Sequence, residues 1–383
     1  MQLSAIAKLA FFLFSTAAVA HPGEHEERDV LADLAKREFY SGARRSLDSC
    51  ASKMESRGIH ARAQARRRAT VERFTKRKVV RDTDAIANES HHSSLTIEPI
   101  YPDPFLFSSN STCILNPEGE TGPYWIKGEQ IRSHLSEGQA GIPVIIDGQF
   151  VNVETCEPIT DLWWDLWNCN ATGVYSGLVA TGNGNAADTS NFNATFLRGL
   201  QQTDEDGVAQ FHTLFPGHYS GRTNHMHMIA HTNATVLPND TISGGNVAHV
   251  GQIFWDQDLI YQVEATYPYN TNNISITTNV DDHVFIAETE TDSDPVLEYV
   301  MLGDTLEDGL FAWITIAVNV SASYDPNYSY VYTASGGVAE SGGTDSGNGG
   351  SGGGNGTAGG PGNGTAPRAL CLPALLLLAL LKF

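Results

Sequence analysis

Apolar residues in the second half of the chain recur at every second position, most clearly near the C-terminal end of that half. The apolar positions of one face are Leu310, Ala312, Ile314, Ile316, Val318 and Val320, and those between them are Phe311, Trp313 and Thr315. A period of two is the spacing of a β-strand, whose successive side chains point to opposite faces. The pattern therefore predicts a strand over residues 310–320.

Shorter β patterns precede this strand. We predict a hairpin over 144–153 that turns at Asp147-Gly148, since Asp-Gly between two apolar runs is a strong turn signal. Further predicted strands are the tryptophan-rich run 162–168 and the segments 250–255, 274–278 and 299–302. Short strands separated by turns rich in Gly, Pro and Asn, with almost no helix, predict a mainly β fold, a β-sandwich over residues 91–335.

Residues 24–80 follow a helical period instead. Their apolar positions recur three or four residues apart, at Val30, Leu31, Leu34, Phe39, Leu47, Cys50, Met54 and Ile59. We therefore predict a basic helical arm within residues 21–90. The basic runs 66–68 and 76–78 leave two interpretations open: the arm is a propeptide that is cut at these runs, or it is retained against the body.

Charge divides the chain at the same boundary. Residues 21–81 hold 16 Lys and Arg against 9 Asp and Glu, a net of +7, whereas residues 82–366 hold 4 against 35, a net of −31. The four basic residues of this acidic body are Lys127, Arg132, Arg198 and Arg222. Opposite charges favour a retained arm. So acidic a body argues against nucleic acid as a partner, because phosphate binding needs a basic surface.

Both ends of the chain resemble targeting signals. Residues 1–20 have a Lys8 charge, an apolar run and an Ala18-Val19-Ala20 cleavage site, which predicts a secretory signal peptide. Residues 336–366 form a glycine-rich linker, and residues 367–383 are a short apolar tail. This arrangement predicts a GPI-anchor signal and a protein at the cell surface, attached to the membrane through the anchor alone. A docked C-terminal helix is the alternative for the tail.

Glycosylation motifs and cysteines fit the same route. The chain has eleven N-x-S/T motifs, of which Asn170 is expected to stay unmodified. Outside the tail, four cysteines suit an oxidising compartment. We expect Cys156 to pair with Cys169 across a hairpin, which leaves Cys50 with Cys113. Free buried thiols are the alternative.

A pair of histidines indicates a metal site. His225 and His227 are two residues apart, so on a strand both imidazoles point to one face and can share a metal. Tyr219 precedes them by six residues, and Tyr175 is a second conspicuous tyrosine. A phenol has a free pKa of about 10, so a trivalent cation is needed to hold it ionised at neutral pH. Ferric iron, Fe(III), fits this set, and zinc is the alternative.

A series of motifs places these residues in a known family. In order they are CILNPE at 113–118, GPYW at 122–125, TCEP at 155–158, DLWNCNATGVYSG at 165–177, TDEDG at 203–207, FPGHY at 215–219, RTNHMH at 222–227 and GQ at 251–252. The sequence resembles the intradiol ring-cleavage dioxygenases, most closely their secreted fungal branch. The resemblance implies an iron-containing β-sandwich that uses O2 to open a catechol between its hydroxylated carbons, giving a cis,cis-muconate.

The resemblance also implies roles for single residues. Tyr175, Tyr219, His225 and His227 match the four ligands of Fe(III). Arg222 matches the arginine that stabilises the oxyanionic intermediate, and Gln252 matches a glutamine near the substrate. Tyr219 is also expected to take a proton from the catechol.

Some alternatives stay open at this stage. The chain is either an enzyme or a cell-surface binding or wall protein that keeps the fold without turnover. Tyr124 and Trp125 either line the catechol pocket or support it, whereas His212, His218 and His231 are expected to be ordinary strand and loop residues. Arg198 is expected in a loop, away from the substrate. A homodimer is neither favoured nor excluded, and a small aromatic diol with O2 is the expected substrate pair.

Overall fold

The structure is a computed structural model that describes residues 50, 53–75, 121–289, 294–326, 328, 330–333 and 336–339. Several predicted features lie outside these residues: the signal peptide 1–20, the N-terminal half of the arm, the basic run 76–78, the motif 113–118 with Cys113, most of the linker and the tail 367–383. Within the described ranges, no helix is long and apolar enough to cross a membrane.

The described residues are mainly β-strand. The strands are β1 (Ile126–Lys127), β2 (Pro143–Asn152), β3 (Trp163–Trp167), β4 (Arg198–Gln202), β5 (Val208–Leu214), β6 (His225–Thr232), β7 (Thr235–Val236), β8 (Ile242–Ser243), β9 (Asn246–Phe254), β10 (Glu298–Met301), β11 (Leu310–Val318), β12 (Tyr330–Thr333) and β13 (Gly336–Ala339). The helices are α1 (Ile59–Phe74), α2 (Gln257–Glu264) and α3 (His283–Thr289). The strands predicted near 162–168, 250–255, 299–302 and 310–320 are confirmed. The strand predicted at 274–278 is wrong.

Two four-stranded sheets form the sandwich. The first has the order β10-β11-β2-β5 and the second the order β4-β3-β6-β9. Side chains from both sheets share one buried core, including Ile146, Phe150, Trp164, Phe211, Met226, Met228, Ile253 and Ile316. Burial of these apolar faces against each other is the main driving force for the fold. The β-sandwich prediction is confirmed.

The hairpin predicted at Asp147-Gly148 is wrong, because both residues lie inside the continuous strand β2. Gly148 pairs with Ile314 on one side and Ala209 on the other. A Cβ atom at Gly148 would lie 2.4 Å from Cζ3 of Trp164. The glycine therefore gives the indole room to cross the core, and the backbone does not turn there.

The basic arm covers the outer face of the first sheet. Val71 of α1 packs in a buried cluster that includes Ile145 and Phe311. Asp147 is buried on the same face and accepts two hydrogen bonds from Arg66, Nε to Oδ2 at 3.0 Å and Nη2 to Oδ1 at 3.1 Å. Burial acts to raise the pKa of Asp147, but the two guanidinium groups of Arg66 and Arg67 outweigh it and hold the pKa below its ordinary value.

The predicted disulfide pairs are wrong. Cys50 is bonded to Cys156, and Cys169 is a free buried thiol. Cys156 lies in a buried cluster with Val151 between the arm and the first sheet. Cys169 lies in a different cluster, with Trp167 on the outer face of the second sheet. The two cysteines are only thirteen positions apart in sequence, but the sandwich separates them, so they cannot meet.

Candidate functional site

Strand β6 places the two predicted histidines on the outer face of the second sheet. Its residues alternate: Met226 and Met228 enter the core between the sheets, and His225 and His227 point the other way. The sequence-based expectation that both imidazoles share one face is therefore confirmed. Tyr124, Tyr175 and Tyr219, from the loops beside the second sheet, pack on this face in one buried cluster with Trp167 and Ile229, so the site is buried.

Four side-chain donor atoms converge there. The Nε2 atoms of His225 and His227 are 3.1 Å apart, and the Tyr175 Oη lies 3.4 Å from the first and 3.1 Å from the second. The Tyr219 Oη lies 3.2 Å from the Nε2 of His225. All four residues are at most 5% exposed. The structure thus brings together the four residues that the sequence proposed as ligands.

Neighbouring groups fix the orientation of the rings. The Nδ1 of His225 is 2.6 Å from the carbonyl oxygen of Thr223, and because a carbonyl only accepts, this nitrogen carries the hydrogen. The Nε2 lone pair of His225 therefore faces the other donors. The ring of His227 stacks on Trp167, with centroids 5.0 Å apart and planes at 7°. Both imidazoles are held in place before any ligand binds.

The two phenols need a cation in order to ionise. Burial raises the pKa of Tyr175 well above its ordinary value, and the nearby Tyr219 raises it further. Burial also raises the pKa of Tyr219, although Arg222 partly opposes the shift. Without a bound cation both phenols would be neutral at physiological pH.

The geometry of the donors fits a metal ion. Four ligands about 2.0–2.1 Å from one ion in a tetrahedron are roughly 3.3 Å apart, and the four distances here are 3.1–3.4 Å. In the described part of the chain, no group of three or more His, Cys, Asp or Glu side chains could hold a metal. The tyrosines are therefore needed to complete a site. Two imidazoles and two phenolates suit a hard trivalent cation.

Arg222 is fully buried beside Tyr219, and its guanidinium contacts three side chains of the described residues. Its Nη1 donates to the Oη of Tyr219 at 3.4 Å, and its Nη2 donates to the Oε1 of Gln252. Its Nε donates to the Oδ2 of Asp282 at 2.9 Å. Gln252 on β9 lies directly opposite His227 on β6. The predicted Arg222 and Gln252 thus belong to the same buried site.

Asp282 is a site residue that sequence reasoning missed. Its Oδ2 accepts from Arg222 and also from the backbone N–H of Thr223 at 2.8 Å. Its Oδ1 accepts from the N–H groups of Val284 and Phe285 at the start of α3, at 2.9 and 3.1 Å. An aspartate before a helix is typical of an N-cap, but α3 has only seven residues, so the sequence carried no usable signal for Asp282.

His218, expected to be an ordinary residue, lies in a buried network behind Tyr219. Its Nδ1 is 2.8 Å from the Oε1 of Glu264, and its Nε2 donates to the carbonyl of Ile274 at 2.9 Å. Burial lowers the pKa of His218, but these two hydrogen bonds outweigh it and raise the pKa above its ordinary value. Asn224 also donates to Glu264, at 2.7 Å. Glu264 therefore ties together residues on both sides of Tyr219.

Arg198, expected in a loop, is instead buried on β4. Its Nη1 donates to Glu129 at 2.9 Å and its Nη2 to the carbonyl of Tyr124 at 2.7 Å. The ring of Tyr124 lies 4.9 Å from that of Tyr175. Trp125 points elsewhere and donates its Nε1–H to Asp165 at 3.0 Å. Tyr124 is thus a wall of the site, and Trp125 is a support.

The chain is similar to dioxygenases of known structure. The family model described as Dioxygenase matches residues 121–268. An intradiol ring-cleavage dioxygenase from Tetranychus urticae, known from its solved structure, is 32% identical over 56% of this chain and 98% of its own, with a TM-score of 0.45. A second dioxygenase crystal structure is 31% identical over the same shares, with a TM-score of 0.46. No curated protein matches the chain.

A more distant structure is the dioxygenase domain of a dioxygenase carbohydrate-binding protein fusion from the cellulolytic bacterium Streptomyces sp. SirexAA-E. It is 20% identical over 52% of this chain and 96% of its own, with a TM-score of 0.33. The 32% identity to the Tetranychus urticae protein extends over 98% of that protein. The chain belongs to the intradiol ring-cleavage dioxygenase family.

Proposed function

We propose that the protein is a dioxygenase that cleaves catechols between the two hydroxylated carbons to give cis,cis-muconate products. Tyr175, Tyr219, His225 and His227 would hold Fe(III). The observation that carries the proposal is the convergence of these four buried donors, with four of their atom pairs 3.1–3.4 Å apart. When bound, ferric iron would act as a Lewis acid that keeps the phenols ionised and binds the oxygens of the diol.

The two tyrosines are suited to different tasks. The backbone of Tyr175 is clamped, because Asn183 both accepts from its N–H at 2.7 Å and donates to its carbonyl at 2.9 Å, and Asn191 also donates to that carbonyl. Tyr219 lies in the short segment between β5 and β6 and contacts Arg222. Tyr219 is therefore the better candidate to take the proton of a catechol hydroxyl at its Oη, as a general base.

Arg222 would stabilise negative charge that develops on the substrate. Its guanidinium is held by Asp282 and Gln252, so its Nη1 already points to the region of the Tyr219 Oη. A donor fixed in a buried site stabilises charge without having to reorganise. Gln252 would act by orienting Arg222. Tyr124, packed against Tyr175, would border the aromatic ring of the substrate.

The visible absorption of the purified protein tests the metal assignment. Phenolate bound to Fe(III) gives a red-brown charge-transfer colour, so we expect coloured protein that consumes O2 with catechol. Tyr175→Phe, Tyr219→Phe, His225→Ala and His227→Ala should each lose iron or weaken the band. Tyr269→Phe is the matched control and should keep the colour, because the buried Tyr269 hydroxyl bonds backbone groups of Ile142 and Phe215, away from the four donors.

Three outcomes separate the alternatives. Colourless protein with bound zinc would replace iron as the cofactor. Coloured protein that is inert towards catechols would favour a binding or wall protein. Full colour in both tyrosine variants would remove the phenolate ligands from the proposal.

We also propose that the protein is secreted and held at the cell surface by a GPI anchor. The terminal segments support this, as does the disulfide Cys50–Cys156, which suits an oxidising compartment. Glycosylation motifs at Asn193, Asn233, Asn239 and Asn273 are exposed, whereas Asn170 uses its side-chain oxygen to accept from Thr172 and Val174. Deletion of residues 369–383 should release the protein into the medium. Surface retention of that variant would contradict the anchor.

A further inference from the structure

The acidic body offers few cations to a substrate, and each has a partner in the structure. Between residues 82 and 366 the chain has four basic residues. Arg198 is paired with Glu129 at 2.9 Å, and both side chains are at most 1% exposed. Arg132 contacts Glu137 and donates to the carbonyl of Arg198. The Lys127 ammonium lies 5.1 Å from the ring of Tyr328. The guanidinium of Arg198 also lies 5.8 Å from the ring of Tyr175, whereas Arg222 contacts a donor atom directly, because its Nη1 donates to the Oη of Tyr219.

The guanidinium group of Arg222 is already occupied by contacts within the protein. All three guanidinium nitrogens donate hydrogen bonds: Nε to Asp282, Nη1 to Tyr219 and Nη2 to Gln252. A substrate carboxylate is normally bound by two parallel N–H groups of one arginine. Such binding would require Arg222 to give up Gln252 or Asp282.

Asp282 also cancels the charge of Arg222. Both side chains are 0% exposed, and their closest atoms are 2.9 Å apart. In so dry a site the ion pair presents nearly no net charge to a ligand, although each N–H can still donate locally. The four hydrogen bonds that Asp282 accepts, two of them at the start of α3, keep this carboxylate in place.

We propose that Asp282 is the residue that sets substrate charge: it positions Arg222 and neutralises it, so that the site takes catechols without an anionic substituent and discriminates against carboxylated ones. This inference rests on the proposed dioxygenase function. The negative field of the body acts in the same direction by lowering the local concentration of anions, although salt screens it within about 8 Å at physiological ionic strength.

The test compares catechol with protocatechuate, its carboxylated analogue, as substrates of the full-length protein at pH 8, where ordinary imidazoles are neutral. We expect the wild type to have the higher kcat/KM for catechol. Asp282→Asn keeps the size of the side chain and removes its charge. It should retain the iron colour, lose about 10–100-fold in kcat for catechol as Arg222 loses its position, and raise the protocatechuate-to-catechol ratio of kcat/KM by at least about tenfold.

Two further variants make the test specific. Asp281→Asn changes the neighbouring carboxylate, which is exposed and bonds Thr278, and should leave the ratio and kcat unchanged. Asp282→Glu keeps the charge but displaces it, so kcat should fall while the ratio stays at the wild-type value. This variant also separates the effect of charge from that of packing if Asp282→Asn folds poorly.

The results distinguish this inference from the proposed function. An active, coloured wild type that prefers protocatechuate, or a ratio that is the same in wild type and Asp282→Asn, would overturn the role of Asp282 alone. If Lys127→Gln then abolished the preference for protocatechuate, the carboxylate would be assigned to Lys127 instead. A wild type that is inert towards every catechol would overturn both proposals.

Discussion

The disulfide Cys50–Cys156 ties the N-terminal arm to the sandwich, and its removal is expected to lower the free energy of unfolding by about 3–5 kcal/mol. The bond joins residues 106 positions apart. In the chain-entropy model, a loop of that length removes about 16 cal/mol/K of entropy from the unfolded state, or about 4.8 kcal/mol at 25 °C. Engineered changes commonly give less than the model value, which sets the lower end of the range.

The folded state should survive the loss of the bond. Val71 stays in the buried cluster with Ile145, and Arg66 keeps its two hydrogen bonds to Asp147. The effect should therefore arise mainly from the unfolded chain, which becomes more expanded without the cross-link. Because the urea m-value scales with the surface exposed on unfolding, we expect it to rise as the midpoint falls.

Urea denaturation of the double variant Cys50→Ser, Cys156→Ser measures both quantities. Cys169→Ser is the matched control: it also replaces a buried sulfur by oxygen, it removes no cross-link, and its hydroxyl can still donate to the carbonyl of Gly217, as the thiol does. The reasoning would be refuted if the double variant lost no more than twice the free energy of unfolding that Cys169→Ser loses, and if its m-value stayed unchanged.

Two further predictions concern the sandwich. Gly148→Ala should lower stability by about 1–3 kcal/mol in thermal unfolding, because the added Cβ would meet Trp164 at 2.4 Å, and a neutral effect would restore the turn interpretation. Burial raises the pKa of Asp165 to about 6, and burial and the Asp165 charge raise that of Glu129 well above its ordinary value. The folded protein thus holds protons that the unfolded chain releases near pH 4. The contribution of these two carboxyls to the free energy of unfolding should therefore be highest below about pH 4 and fall by about 3 kcal/mol as the pH rises through 6. In Glu129→Gln, the urea midpoint should depend less on pH.

Sequence patterns predicted the sandwich well where burial repeats locally. In β11 and in the tryptophan-rich strand β3, residues that face opposite sides of the sheet follow one another in sequence, so a short stretch is enough to predict the strand. The pattern failed at 274–278, where Ile274 and Ile276 alternate as in a strand but are 41% and 37% exposed. Alternation indicates a strand only if one face becomes buried, and no sheet lies against this segment. Helices α2 and α3 span eight and seven residues, too short for a helical period to be recognised.

The candidate site was predictable in part. The spacing of His225 and His227 directly indicates a shared face, and the family resemblance supplied Tyr175 and Tyr219. Asp282 was not predictable, because it lies 60 positions from Arg222 and the body contains 35 acidic residues from which a partner had to be chosen. Glu264 is hidden in the same way, 46 positions from His218. Long-range pairing of this kind depends on the packed fold.

The opposite charges of arm and body were expected to attract each other. In the described residues, Arg57 and Arg62 form more exposed pairs with Glu157 and Asp206, and the buried pairs are those of Arg66 and Arg67 with Asp147. The contact at Asp147 lies on the outer face of the first sheet, whereas His227 and Gln252 lie on the outer face of the second. The hydrophobic core separates the two faces. A change in the arm can therefore alter the stability of the sandwich while the four donors keep their positions, since these are fixed by β6, β9 and the loops beyond them. Asp147→Asn should accordingly lower the unfolding midpoint and leave the iron colour of the folded protein unchanged. A variant that stays folded but loses its colour would show that the two faces are coupled through the core.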